Sequence, residues 1–319
     1  MRILITGGAG FIGANLVRDC EAAGHTCVVL DNLSTGYESN LEGTGATLVR
    51  GDIRDGEQVI SLAETVDAIV HLAARGSVPR SVKDPVATHD VNATGTLRVL
   101  EAARLTGGKQ VIVASSSSVY GANAELPKRE SAATRPMSPY AASKLAAESM
   151  TLSYRASFDM PVLAFRFFNV FGPLQTAGHD YAAVIPAFVD AALRQRPLTI
   201  HGSGEQSRDF THVGTVCAVI RRALEERLSS PNPINLAFGT NTSLLELVEH
   251  IAAEVNTPLV VQHVASRVGD VPHSQADATA LNQLIPGIVP TDFGVGLRET
   301  IAWMRSSIER DLTPARAPR

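Results

Sequence analysis

Tyr140 and Lys144 stand four residues apart in the run Tyr140-Ala141-Ala142-Ser143-Lys144, a spacing that puts both side chains on one face of a helix. A phenol with an unperturbed pKa of about 10 is a poor base at neutral pH, and a nearby ammonium favours its ionised form. The pair therefore predicts a proton acceptor, although a Tyr and a Lys so spaced on an exposed helix are usually plain surface residues. Upstream, Ser115-Ser116-Ser117-Ser118 ends the β-rich run 111–114. Hydroxyls there either face a ligand, as the carboxyl ends of strands do in an open parallel sheet, or form a polar turn.

A second constellation opens the chain, where Gly7-Gly8-Ala9-Gly10-Phe11-Ile12-Gly13 stands between a strand-like run and a helical pattern. A glycine-rich turn in that context lets backbone amides approach a pyrophosphate, and the helix N-terminus presents partial positive charge to it. Two registers fit: Gly8, Gly10 and Gly13 match G-x-G-x-x-G, and Gly7, Gly10 and Gly13 match G-x-x-G-x-x-G. Asp31 ends the second strand at the spacing of the acidic residue that accepts hydrogen bonds from an adenosine ribose. Its carboxylate would repel a 2′-phosphate, so NAD is expected rather than NADP. An oxidised nicotinamide beside Tyr140 would add a positive charge favouring phenolate. Asp52-Ile53, after the third strand, could offer an acceptor and an apolar wall to the adenine, or Asp52 could cap the next helix.

Elements of alternating type must position these groups. Strands are expected at 2–6, 26–31, 46–50, 68–72 and 110–115, with helices from about 11 and 55 and over 91–105 and 139–157. This βαβαβ rhythm predicts a Rossmann-type, doubly wound parallel sheet in an α/β protein, with ligands at the carboxyl ends of its strands. From about Phe171 the rhythm loosens around Gly172-Pro173, Gly202-Ser203-Gly204 and Pro231-Asn232-Pro233. We expect residues 1–170 to bind the dinucleotide and 171–319 to form mainly a smaller α/β substrate domain, with the chain free to cross between them.

Composition narrows the partners. The net charge of −4, with 28 scattered Lys and Arg, gives no electrostatic reason to bind nucleic acid. Cys20, Cys27 and Cys217 show no metal-ligand spacing, and three thiols cannot close a complete disulfide framework. No metal is expected, and a reducing, cytoplasmic setting fits best. Neither a signal peptide nor a membrane span is apparent.

The motifs TGGAGFIG, Asp31-Asn32, HLAA at 71–74, SSSSVYG, Tyr-x-x-x-Lys, RFFNVFGP at 166–173, RDF at 208–210 and RVGD at 267–270 extend along nearly the whole chain. Together they resemble the extended short-chain dehydrogenase/reductases, within the nucleotide-sugar 4-epimerase family. That resemblance implies Gly7, Gly10 and Gly13 as the glycine triad. It adds Phe11, Ile12, Asn32, Ser34, Thr35, Gly36, Leu72, Ala73, Ala74, Asn92 and Phe168 to Asp31, Asp52, Ile53, Tyr140 and Lys144 around NAD. It selects Ser116 as the catalytic serine and implies that Asn169, Arg208, Arg267 and Asp270 hold a uridine diphosphate. Paired guanidinium donors suit phosphate oxygens, which gives Arg208 and Arg267 a physical reason for that role. Ser117, Val184, Thr199, Ile200 and His201 complete the implied substrate contacts, and a homodimer through the two long helices is implied as well.

Tyr140 would then take the proton from a sugar 4-hydroxyl, with Ser116 bonding the same oxygen and Lys144 holding the cofactor ribose. Related dehydratases carry an acidic pair where this chain has Ser117 and Ser118, so simple 4-epimerisation is expected. Gly76, Ala183 and Ser274 are small where glucose-restricted relatives carry bulkier residues. They leave room for a 2-acetamido group, in a pattern similar to bacterial UDP-N-acetylglucosamine 4-epimerases.

Overall fold

Ile3, Leu4 and Ile5 expose no surface, and a strand that is apolar on both sides must be covered on both faces. The computed structural model, which describes residues 1–177, 183–265 and 273–312 and the side chains to 309, shows how. The first part of the chain runs β1 (Arg2–Thr6), α1 (Phe11–Ala22), β2 (Thr26–Asp31), β3 (Thr47–Arg50), α2 (Gly56–Glu64), β4 (Ala68–His71), α3 (Val78–Lys83), α4 (Pro85–His89), α5 (Gly95–Leu105), β5 (Gln110–Ser116), α6 (Pro139–Phe158) and β6 (Val162–Phe167). There follow β7 (Asn169–Phe171), α7 (Val184–Leu193), β8 (Leu198–His201), β9 (Ser207–Arg208), β10 (Phe210–His212), α8 (Val213–Glu225) and β11 (Ile234–Leu236). The chain continues through β12 (Thr242–Ser243), α9 (Leu244–Val255), β13 (Val261–Val264), β14 (His273–Ser274), α10 (Thr279–Leu284) and α11 (Phe293–Leu312).

The main sheet has seven strands in the order β11-β6-β5-β4-β1-β2-β3, and every pairing in it is parallel. Alternate residues feed two cores: Ile3 and Ile5 join α1 and α8 on one face, while Leu4, Ile69 and Val111 join α2 and α5 on the other. The order reverses between β1 and β4, so the turns after them diverge and leave a crevice at the carboxyl edge. Residues beyond 170 return to this layer, because β11 pairs with β6 and α8 lies in the β1 core. The short strands form separate small sheets, β7 with β10, β8 with β13, and β9 between β12 and β14.

The helix expected over 91–105 is present, with one irregularity at its start. Asp90–Thr94 form a π-helical turn before α5 begins at Gly95. A Cβ on Gly95 would meet the Ile53 side chain at 2.5 Å, so glycine lets this segment pack closely against the turn after β3. Asn92 is drawn away to the loop after β4, where its Oδ1 accepts from the Arg75 amide at 2.7 Å.

Candidate active site

Gly7 turns the chain out of β1 with φ of +71°, and a Cβ there would lie 2.7 Å from the Ala73 amide nitrogen. Gly13 is still tighter, since its Cβ would lie 2.3 Å from the Gly7 carbonyl oxygen. Gly8 instead faces Val29 in the core, so the backbone favours Gly7, Gly10 and Gly13 as the functional register. Gly10 caps α1 without a side-chain bond, and no acidic residue occupies the first turn. The opening amides of α1 are thus uncapped by side chains at the positive end of the helix, which suits a pyrophosphate.

Two adjoining cavities of about 520 and 450 Å³ share Gly7, Gly10, Leu72 and Ala74 and extend from Asp31 to Tyr140. Asn32, Ser34, Thr35, Gly36, Asp52, Ile53 and Ala73 line the first. Phe11, Ile12, Gly13, Gly76, Ser116, Lys144 and Phe168 line the second. Buried Asp31 accepts from the Ala9 amide at 3.0 Å and the Leu33 amide at 2.8 Å, which leaves lone pairs for ribose hydroxyls. Asp52 does not cap α2, because Asp55 does so through the Gln58 amide. Asp52 is instead forked by Arg54 and bonded by Asn32, and these partners hold its carboxyl well below the usual range. Asn92 lines neither cavity: its side chain bonds the Arg75 backbone and Ser143 Oγ. It braces the loop after β4 against α6.

Ser138 caps α6 by accepting from the Ala141 amide, and Pro139 occupies the first turn. Tyr140 therefore starts a helix whose N-terminal dipole favours an anion. Lys144, one turn on, donates to the Ala114 carbonyl at 2.8 Å, and burial lowers its pKa to about 8. Burial pushes the Tyr140 phenol up, while a hydrogen bond from Ser116 pulls it down. Ser116 also lies 2.6 Å from Ser118 Oγ. Without further positive charge this phenol stays protonated at neutral pH, so a cationic ring bound beside it is what the arrangement requires of a base.

A third cavity of about 870 Å³ continues past Phe168 and Val170 and is lined by Asn169, Ala183, Val184, Thr199, His201 and Arg208. Ile200 does not reach it, because alternation along β8 turns its side chain into the core with no exposed surface. Ser117 begins a 3₁₀ turn and lines none of these cavities. Ser274, expected in the sugar pocket, lines none of these cavities, although it stands beside Arg208 in the β14–β9 register. Arg267 and Asp270 lie outside the described residues.

Gln175 went unread in the sequence. Its side chain lines both the catalytic and the large cavity. Its Nε2 donates to the Val170 carbonyl at 3.1 Å, which fixes the amide orientation, since a carbonyl only accepts. The buried Oε1 has no partner among the described residues. Its place shortly after the Gly172-Pro173 turn was the available signal.

Residues 3–237 match the model of the NAD dependent epimerase/dehydratase family. The chain is 36% identical over 312 residues to the UDP-glucose 4-epimerase of Mycolicibacterium smegmatis, covering 96% of this chain and 99% of that one. It is similar to the structure of UDP-N-acetylglucosamine 4-epimerase from Methanobrevibacter ruminantium M1 in complex with UDP-N-acetylmuramic acid, with TM-score 0.91 and 35% identity over 96% and 98% of the two chains. UDP-glucuronic acid 4-epimerase from Bacillus cereus, solved with UDP-glucuronic acid and NAD, aligns with TM-score 0.87 and 27% identity over 96% and 100%.

Proposed function

Because the chain belongs to the NAD dependent epimerase/dehydratase family, we propose that it is a UDP-sugar 4-epimerase whose preferred pair is UDP-GlcNAc and UDP-GalNAc, with UDP-Glc and UDP-Gal as a second pair. The observation that carries this reading is a continuous path: Ser116, Tyr140 and Lys144 open into a cavity that shares Phe168, Val170 and Gln175 with the larger one at Arg208. A sugar at that junction would reach the tyrosine while its diphosphate lies towards Arg208. Ser117 and Ser118, where a dehydratase would need carboxylates, cannot serve as acid and base for loss of a group from C6.

NAD is the family's cofactor, and the uncapped start of α1, the close glycine turn and Asp31 fit its pyrophosphate and ribose. When bound it supplies reversible two-electron oxidation at sugar C4. Tyr140 accepts the proton of the 4-hydroxyl and returns it after the 4-keto sugar has turned over. Ser116 donates to the same oxygen, and Lys144 supplies positive charge that favours phenolate. Gly76 and Ala183 on the cavity walls leave room for an acetamido group. Leu105 and Phe158, 57% and 50% exposed near the ends of α5 and α6, support pairing of two copies there, whereas Leu100 belongs to the core.

NMR of products from separate incubations with UDP-GlcNAc, UDP-Glc, UDP-GlcA and dTDP-Glc tests the substrate. Inversion at C4 of the acetamido pair with the highest kcat/KM is expected. A 4-keto-6-deoxy product, or uronate as the preferred substrate, would overturn the assignment. Tyr140→Phe should lose about 10³-fold in kcat and retain its NAD.

A further inference from the structure

Glu148 lies one turn beyond Lys144 and two beyond Tyr140, so the three share one face of α6. Its side chain and that of Arg166 on β6 are each 4% exposed. Arg166 clasps it with both faces of its fork, Nη2 to Oε1 at 2.7 Å and Nε to Oε2 at 2.9 Å. Ser115, the neighbour of Ser116, donates to the same Oε2 at 2.7 Å. The remaining Arg166 nitrogen, Nη1, donates to the Glu130 carbonyl, and the guanidinium lies 4.6 Å over the Tyr120 ring. Tyr120 donates to Asn235 Oδ1, Asn235 Nδ2 donates to the Lys128 carbonyl, and the Lys128 amide donates to Gln275, next to Ser274.

Burying two charges costs several kcal/mol each, and such pairs are often replaceable by apolar residues without loss of stability. Stability is therefore a weak reason for this pair. What apolar packing would not supply is direction. A forked ion pair with Ser115 on its free lone pair fixes both the rotation of α6 and the end of β5. Tyr140 sits on the first and Ser116 on the second, so a small slip between them separates the two groups that must meet one sugar oxygen.

We infer that Glu148 and Arg166 are positioning residues, which hold the Tyr140 helix in register with Ser116 and link that register to the strand carrying Ser274. The inference rests on the epimerase reading, in which Tyr140 and Ser116 act on one oxygen. Three variants test it in the NAD-loaded full chain: Glu148→Gln, Ser115→Ala, and the apolar pair Glu148→Leu with Arg166→Met. Each is compared for melting temperature, NAD content, kcat and KM with UDP-GlcNAc and UDP-Glc.

We expect the apolar pair to melt within a few degrees of the parent yet lose at least tenfold in kcat, with KM and NAD content changed less than twofold. Glu148→Gln should lose about tenfold and Ser115→Ala about fivefold, again in kcat alone. Should the double variant not fold, the Ser115→Ala result decides, because that change leaves the ion pair intact. The inference is overturned if folded variants keep kcat within twofold, or if activity falls only in step with the folded fraction. Failure of the epimerase reading is distinguishable, because the unsubstituted enzyme would then turn over neither sugar pair.

Discussion

The cavity behind the glycine turn and the cavity before α7 hold their polar groups differently. Around the first, Asp31 is bonded to two backbone amides and Asp52 to Arg54 and Asn32. These groups are fixed before any ligand arrives, and their geometry follows from backbone contacts that a single Cβ would break. In the second, the buried Gln175 Oε1 has no partner among the described residues, and much of the wall comes from β7, β8, β9 and α7, which belong to separate small sheets and a helix. A buried acceptor without a donor costs about 1–3 kcal/mol. Asp31 and Asp52 are thus held by the fold on one side, whereas one buried acceptor beside the larger cavity has no donor among the described residues.

Substitutions on the two sides should fail in different ways, and the largest effect is expected at the glycine turn. Gly13→Ala would force a Cβ to 2.3 Å from the Gly7 carbonyl oxygen and 2.6 Å from Gly8 Cα. Neither neighbour is a flexible side chain that can swing aside. A loss of about 3 kcal/mol or more of stability, together with absence of co-purifying NAD, should appear in thermal melts and in chromatography of the released nucleotide. A stable, NAD-loaded Gly13→Ala protein would break the idea that this half is fixed by close backbone approach.

On the sugar side the effect should be smaller and confined to substrate. Gln175→Leu removes the unpartnered acceptor but also the donor to the Val170 carbonyl, so the two effects on folding should roughly offset, while kcat/KM falls about tenfold as the wall shared by the two cavities shifts. Ser274→Tyr should lower kcat/KM for the acetamido sugars several-fold more than for the plain hexoses. Equal losses for both pairs would detach Ser274 from the sugar pocket. Steady-state kinetics on the two pairs, beside thermal melts, separates these outcomes.

The same difference explains what could be read in the amino-acid order. The strands 2–6 and 26–31, the glycine turn and the helix from 139 follow from local rules, and the structure reproduces those starting points. The π-helical turn at Asp90–Thr94 could not be read locally, since the contacts found there are distant in sequence: Asn92 bonds Arg75 and Ser143, and Ile53 lies against Gly95. The family resemblance implies Thr199, Ile200 and His201 alike as substrate contacts, yet a strand turns alternate residues to opposite faces. Ile200 therefore falls in the core while its neighbours line the cavity. Gln175 has only a weak local signal, its place after the Gly172-Pro173 turn, because what marks it out is a partner missing among the described residues.

His71 provides the smallest test, from the fixed side. It is buried between Thr6 Oγ1, 2.7 Å from Nδ1, and Thr96 Oγ1, 3.0 Å from Nε2. The Thr96 hydroxyl donates to the Asn92 carbonyl at 2.6 Å, so its oxygen must accept from Nε2–H, and Nδ1 is left to accept from Thr6. The ring is therefore held neutral, and burial with the nearby Lys144 charge lowers its pKa to about 3 from 6.5. A histidine depressed in the folded state contributes its full share above pH 6.5 and loses it as pH falls towards 3, because the unfolded chain takes up the proton first. Stability should decline by up to about 1.4 kcal/mol per pH unit across that window from this group alone. In His71→Gln, chemical denaturation between pH 7 and 4 should show a shallower decline, from a starting stability lower by about 1 kcal/mol. An unchanged slope would mean that His71 accepts a proton without unfolding, and the bonding around the turn after β4 would then be less fixed than its distances imply.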